Sequence, residues 1–325
     1  MNSCRCYVFA LVFSAAATLS ASQAVSPTAT KPQTTAQPPV PAQPPAPPAA
    51  PIDPILTAAE NLIGKALFLR GFYASNNLTY DPAGRLLTSS APTGWTLAAI
   101  NVLKVARPAP DQIELEAVRV AIRYNPDAHE FQRHPLNDEK MSLLIQLAPE
   151  AGSPPGPDST QSPAPDPTHS LHQLNNAIAA IFSIGIYPAL QRSAPPLWRH
   201  YFDLNLPWPP DSLTGQTIYP IPPLPALPGP PAEIVPPILS HQTASQFTPA
   251  ALHDKVQGTV QLRTVVDADG IPQRIVVTHP LGYGLDEQAA NAVAKWRFNP
   301  ALHAGKPVPA AILINMDFLP PSPPR

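Results

Sequence analysis

Cysteine is nearly absent. Among 325 residues only Cys4 and Cys6 carry thiols. Everything after Cys6 is thiol-free, which excludes disulfides and thiolate metal centres from the body of the chain. This suits an oxidising compartment without demanding one. Charge is scarce as well: 13 % of residues are charged, the formal net charge is -2, and no basic run stands out. No nucleic-acid partner is therefore expected. With only 14 glycines, a collagen-like repeat is excluded. Catalytic signatures are missing too: there is no G-x-S-x-G, no H-E-x-x-H and no phosphate loop. The chain reads as a non-enzyme with no cofactor. Asp267-Ala268-Asp269-Gly270 lacks the later oxygen ligands of a calcium loop and reads as a turn. His169 and His172 lack a third metal ligand and read as a solvated helix end.

Proline is abundant: 49 residues, about three times ordinary usage. It clusters. Positions 27–51 hold 10 prolines, 149–167 hold 7 and 205–237 hold 12. Such runs break helices and central strands and favour extended polyproline II. Packed pieces joined by proline-rich spacers are therefore expected.

The N-terminus opens on an apolar run, Tyr7–Phe13, followed by small residues to Ala24. Ser22-Gln23-Ala24 has the small-x-small form of a signal-peptidase site. Cys6–Ala24 is also an uncharged stretch of nearly membrane-spanning length. A cleaved signal and a retained anchor both fit, and both export the remainder.

Residues 52–148 read as a small β-rich domain of no assigned type. Ala66–Tyr73, Trp95–Val105, Gln112–Tyr124 and Met141–Leu147 are its predicted strands. A phase change between Leu115 and Val118 predicts a break or bulge, and Asp81–Gly84 a turn. Leu171–Tyr187 reads as a helix. The expected organisation is an export segment (1–24), a linker (25–51), the β-rich domain (52–148), a linker (149–170), a helical segment (171–204), a linker (205–242), a folded C-terminal domain (243–319) and a tail (320–325).

The C-terminal stretch is the most regular. Thr248-Pro249 opens a short helix to Asp254. Gly258–Asp267, a turn to Gly270 and Pro272–His279 form a hairpin, with Val260, Leu262 and Val266 on one face and Ile275 and Val277 on the partner's. A helix over Asp286–Lys295 puts Leu285, Ala289, Val293 and Trp296 on one stripe, so Trp296 reads as core. Arg297 reads as a helix-end charge. Ala310–Leu319 is the last strand. The fold class is α+β: a three-stranded antiparallel sheet with two helices, preceded by the β-rich domain and proline-rich linkers.

Four motifs in order carry a family resemblance. They are Val256-Gln257-Gly258-Thr259-Val260, Val265-Val266-Asp267-Ala268-Asp269-Gly270, Lys295-Trp296-Arg297-Phe298-Asn299-Pro300-Ala301 and Gly305-Lys306-Pro307-Val308. Over residues 243–319 the chain resembles the C-terminal domain of TonB-type energy transducers. The resemblance implies a periplasmic, cell-envelope protein of a Gram-negative bacterium that supports transmembrane transport. Its implied partner is an outer-membrane TonB-dependent receptor, whose TonB-box peptide adds as a strand beside the last strand. The implied peptide-binding residues are Leu313, Asn315 and Asp317 on that strand, with Gln246 and Phe247 before the first helix. A second implied partner is an inner-membrane ExbB/ExbD-type proton motor, and the exposed edge permits a homodimer. Tyr7–Ala24 carries no histidine, so a second reading stands beside the first. In it the protein is a secreted or periplasmic adaptor with the same peptide-binding domain and no motor.

Overall fold

The structure, a computed structural model, describes residues 53–148, 167–186, 188–221 and 234–319. The expected export segment and first linker lie outside the described residues. Among the described residues, no helix is long and apolar enough to cross a membrane.

The β-rich part opens with α1 (Pro54–Glu60). Asp53 caps it, its carboxylate accepting from the Ile55 and Leu56 amides at 2.9 and 3.3 Å. Strands β1 (Leu67–Leu69), β2 (Asn77–Tyr80), β3 (Ala99–Ala109), β4 (Gln112–Asn125) and β5 (Glu130–Gln146) follow. Helix α2 (Pro167–Ile181) then leads into β6 (Phe182–Ile184). The six strands form one sheet in the order β2-β5-β4-β3-β1-β6. Strand β4 itself runs unbroken through the phase change expected between Leu115 and Val118. The irregularities lie in its partners, Leu103 of β3 being unpaired opposite Glu116 and Ala117, and β5 skipping Asn137, Asp138 and Glu139 opposite Val118 and Arg119.

Three local expectations change. Trp95–Leu97 is a 3-10 turn rather than the start of a strand, because Trp95 is drawn into an aromatic cluster. The strand expected over Ala66–Tyr73 shrinks to β1, since Phe72 turns the chain with φ of 50°. The helix expected to Tyr187 ends at Ile181, and the next three residues pair with β1.

Then come α3 (Pro188–Ser193), α4 (Pro196–Phe202), β7 (Tyr219–Pro220), β8 (Ile234–Val235), β9 (Ile238–His241), α5 (Pro249–His253), β10 (Gly258–Val266), β11 (Pro272–His279), α6 (Leu285–Val293), β12 (Arg297–Asn299), β13 (Ala301–His303), β14 (Lys306–Val308) and β15 (Ala310–Phe318). Thr248 caps α5 as expected, accepting from the Ala251 amide at 3.2 Å. The main C-terminal sheet runs β11-β10-β15-β7. Three of these strands are the antiparallel sheet read from the sequence. The fourth, β7, comes from the proline-rich segment 205–242 and pairs with β15 in parallel. On β11 the buried pair is Val276 and Val277 rather than Ile275 and Val277, because register shifts against β10 break the simple alternation.

Of the expected spacers, 149–166 and 222–233 lie outside the described residues, while the described parts of 205–242 hold β7, β8 and β9. Residues 203–221 lie across the end of the C-terminal sheet. Leu213 is buried there, and Arg274 of β11 pairs with Asp211 through two 2.6 Å hydrogen bonds. That pairing draws the Asp211 carboxyl down to about 2. Arg274 also stacks over Trp208, itself laid flat on His200 at 3.6 Å.

One hydrophobic core runs through both halves. It joins Phe68, Trp95, Val120 and Ile122 to Trp198 and to Leu281, Leu285, Ala289 and Val293. The second half of β4 is therefore buried on both faces. The turn 281–284 is the clasp between the halves. The Tyr124 amide donates to the Leu281 carbonyl at 3.1 Å, and the Tyr283 amide to the Ile122 carbonyl at 2.9 Å. The Gly284 amide donates to Thr96 Oγ1 at 2.8 Å.

Candidate docking edge

Strand β15 lies between β10 and the short β7. Its inward side chains, Ala310, Ile314, Met316 and Phe318, are buried, while Leu313, Asn315 and Asp317 face outward. Its backbone alternates as well. The Pro309 and Ala311 carbonyls accept from the Tyr219 and Ile221 amides, each at 3.0 Å. Odd-numbered residues therefore aim their backbone groups away from β10. Beyond Ala311 no described strand takes up that side. The amide and carbonyl of Leu313, Asn315 and Asp317 form an open pairing template.

The side chains of the expected site residues do different things. Asp317 accepts from Thr259 Oγ1 at 2.6 Å, and Asn315 from Gln261 Nε2 at 3.0 Å. Both are tied to β10 across the outer face, so what they offer at the edge is backbone. Leu313 is 42 % exposed, an apolar side chain on an otherwise polar row. Phe247 packs edge-on against Phe318, with ring centroids 5.3 Å apart. Gln246 is exposed.

A groove of about 440 Å³ opens where β15 meets the segment before α5. Thr243, Ser245, Phe247, Trp296, Met316 and Phe318 are among its lining residues. Trp296 is core, as expected, and it also holds the groove wall by donating from Nε1 to the Thr243 carbonyl at 2.8 Å. Ser245 Oγ is buried with no partner among the described residues. The groove collects Phe247, Asn315 and Asp317 but not Leu313, which lies further along the edge.

Sequence reasoning missed β7, Ser245 and the role of Trp296. The signal for β7 was slight: Ile218-Tyr219-Pro220-Ile221 is a short apolar patch within a proline run.

With this geometry in view, residues 243–320 match the family described as Gram-negative bacterial TonB protein C-terminal. Residues 243–320 form a TonB C-terminal domain. The family is a non-enzymatic transducer of the cell envelope, and its partner is a TonB-dependent receptor. A solution NMR structure of the Pseudomonas aeruginosa TonB C-terminal domain also matches. That match has 21 % identity, covers 29 % of this chain and 92 % of that one, and has a TM-score of 0.22. No curated protein matches.

Two carboxylates sit at the start of α6, beside the clasp. Asp286 is fully buried and accepts from the Leu281 and Gly282 amides, each at 2.8 Å. Glu287 accepts from Trp198 Nε1 at 2.7 Å, and its second oxygen is buried without a partner among the described residues. Burial, and for Asp286 also the neighbouring Glu287 charge, hold both above the usual carboxylate range. Their geometry is that of a structural joint. Among the described residues no group of three or more His, Cys, Asp or Glu could hold a metal ion.

Proposed function

We propose that this protein is a TonB-like periplasmic energy transducer that grips a peptide of an outer-membrane transporter by strand addition to β15. The observation that carries the reading is the edge of β15, where no described strand pairs with Leu313, Asn315 and Asp317 and where Asn315 and Asp317 border the groove together with Phe247. About five added backbone bonds, each contributing about 1 kcal/mol net, support weak and reversible capture. That strength suits a partner that must be released.

The test is Leu313→Pro in the full chain. It deletes one outward donor and leaves the β10 side of β15 its own partners. Binding of a synthetic TonB-box peptide is expected to fall about tenfold, with circular dichroism showing the fold retained. Undiminished binding to a folded variant would exclude this edge.

The adaptor reading keeps the same grip and drops the motor. It draws support from the shared core, which welds the TonB C-terminal domain to a β-rich body, and from β7, which takes 203–221 out of the spacer. N-terminal sequencing of the mature protein separates the readings. A start at Val25 favours the adaptor, and an intact N-terminus the transducer.

A further inference from the structure

A cavity of about 500 Å³ lies where three parts of the chain meet: segment 92–97, the start of α4, and α6. That size suits a small molecule. Leu97, Pro195, Leu197, Ile275 and Ala290 give it apolar walls, and Thr93, Gln288 and Asn291 add polar groups. Glu287 lines it too, and no Lys, Arg or His is among its described lining residues. The joint uses only half of the Glu287 carboxylate. Oε1 takes the Trp198 indole, while Oε2 is buried with no partner among the described residues. A buried oxygen left unpaired is costly, and packing alone gives no reason to keep it. Gly94 is a second, independent sign. Its φ of -63° and ψ of 145° are open to any residue, so conformation does not call for glycine there. Space does. A Cβ at position 94 would lie 2.5 Å from Glu287 Oε2 and 2.7 Å from Oε1. The missing side chain leaves a notch against both oxygens, and Gly94 lines the same cavity.

We propose that this cavity binds an organic cation, a primary ammonium on an apolar stem, with the ammonium at Glu287 in the Gly94 notch and the stem along Leu97, Leu197 and Ile275. The carboxylate supplies a charge-assisted hydrogen bond. With no protein cation in the described lining, the ligand's charge meets an opposite charge and no like one. The stem takes the apolar walls out of water. The cavity shares no lining residue with the groove at β15, so it stands whether or not a peptide docks there.

The probes are n-butylammonium and, as its uncharged match, 1-butanol, each titrated into the full chain. The reporter is the Trp198 indole N–H signal in proton–nitrogen NMR, since that group donates to Glu287. n-Butylammonium is expected to shift it saturably, in the millimolar range that so small a ligand allows. 1-Butanol should bind at least about tenfold more weakly. Glu287→Gln keeps an oxygen for Trp198 and should weaken the ammonium by a similar factor, with circular dichroism unchanged. Equal binding of butanol and butylammonium would overturn the proposal. So would equal binding of the ammonium to parent and folded variant, or no saturable shift at all. The butanol comparison needs no variant and decides the matter if Glu287→Gln does not fold. Nα-Acetyl-lysine methylamide, titrated alongside, identifies the source. Tighter binding than butylammonium supports the site as a socket for a partner's lysine side chain, and weaker binding supports it as a site for a free amine.

Discussion

Gly282→Ala should loosen the whole molecule from a single methyl group. Gly282 sits in the clasp with φ of 94°, where an L side chain is strained. An added Cβ would overlap the Ile122 carbonyl oxygen and lie 2.8 Å from Arg123 Cα. Both atoms belong to the β4 backbone, which cannot swing aside as a side chain tip can. The positive φ costs about 1–2 kcal/mol. Loss of the Tyr124–Leu281 and Tyr283–Ile122 hydrogen bonds adds about 1 kcal/mol each. The expected destabilisation is therefore about 3–4 kcal/mol. Gly305→Ala is the control. Its φ is 76°, but a Cβ there meets nothing within 4 Å, so only the backbone strain of about 1–2 kcal/mol applies. Urea unfolding followed by tryptophan fluorescence reads both, because Trp95 and Trp198 meet at the joint with ring centroids 5.1 Å apart. The parent should unfold in one transition. Gly282→Ala should lower the midpoint well beyond Gly305→Ala and separate the unfolding of the two halves. Equal losses in the two variants would refute the clasp.

Arg119 is 3 % exposed and donates to the carbonyls of Tyr73, Ala74, Ser75 and Leu97 and to Asn76 Oδ1. Arg119→Met should cost about 3–5 kcal/mol in chemical denaturation, since it orphans buried acceptors; a loss under about 1 kcal/mol would contradict that account. Glu287→Gln should change the pH dependence of stability. In the folded parent, Asp286 and Glu287 hold protons that the unfolded chain releases above about pH 4. Their stabilisation is thus complete below that pH and is lost as pH rises toward the elevated folded values. Glutamine keeps an oxygen for Trp198 and removes the charge. The variant should gain on the parent in urea midpoint at pH 8, with the margin shrinking toward pH 5. Parallel pH profiles would count against a raised carboxylate pair.

The local rules were readable where one local rule acts alone. Thr248-Pro249 starts a helix by capping and a preset φ, and Asp267–Gly270 turns a hairpin, whatever surrounds them. The alternation on β15 put Leu313, Asn315 and Asp317 on one side because a strand repeats every two residues. Where two faces are buried at once, the pattern is silent. The period-two spacing of Val118, Val120 and Ile122 marked one face of β4, but it did not foretell that Ala117, Arg119 and Ala121 on the other face are buried too. Trp95 had strand character by composition and became a turn because Phe131, Trp198 and Phe202 surround it.

By itself the sequence determined the TonB C-terminal domain, its last strand and its alternating faces, because turns, caps and periodicity are set by neighbours a few residues apart. Only the tertiary structure decided that the β-rich half shares its core, that Gly282 is a joint between halves, and that β7 closes one end of the edge. These depend on which backbone groups meet across more than eighty residues of chain, as between Tyr219 and Pro309 or Tyr124 and Leu281. Proline shows the division most plainly. Its missing amide is a property of each residue, but whether that amide would have faced β15 or solvent is settled by the register of a strand pair.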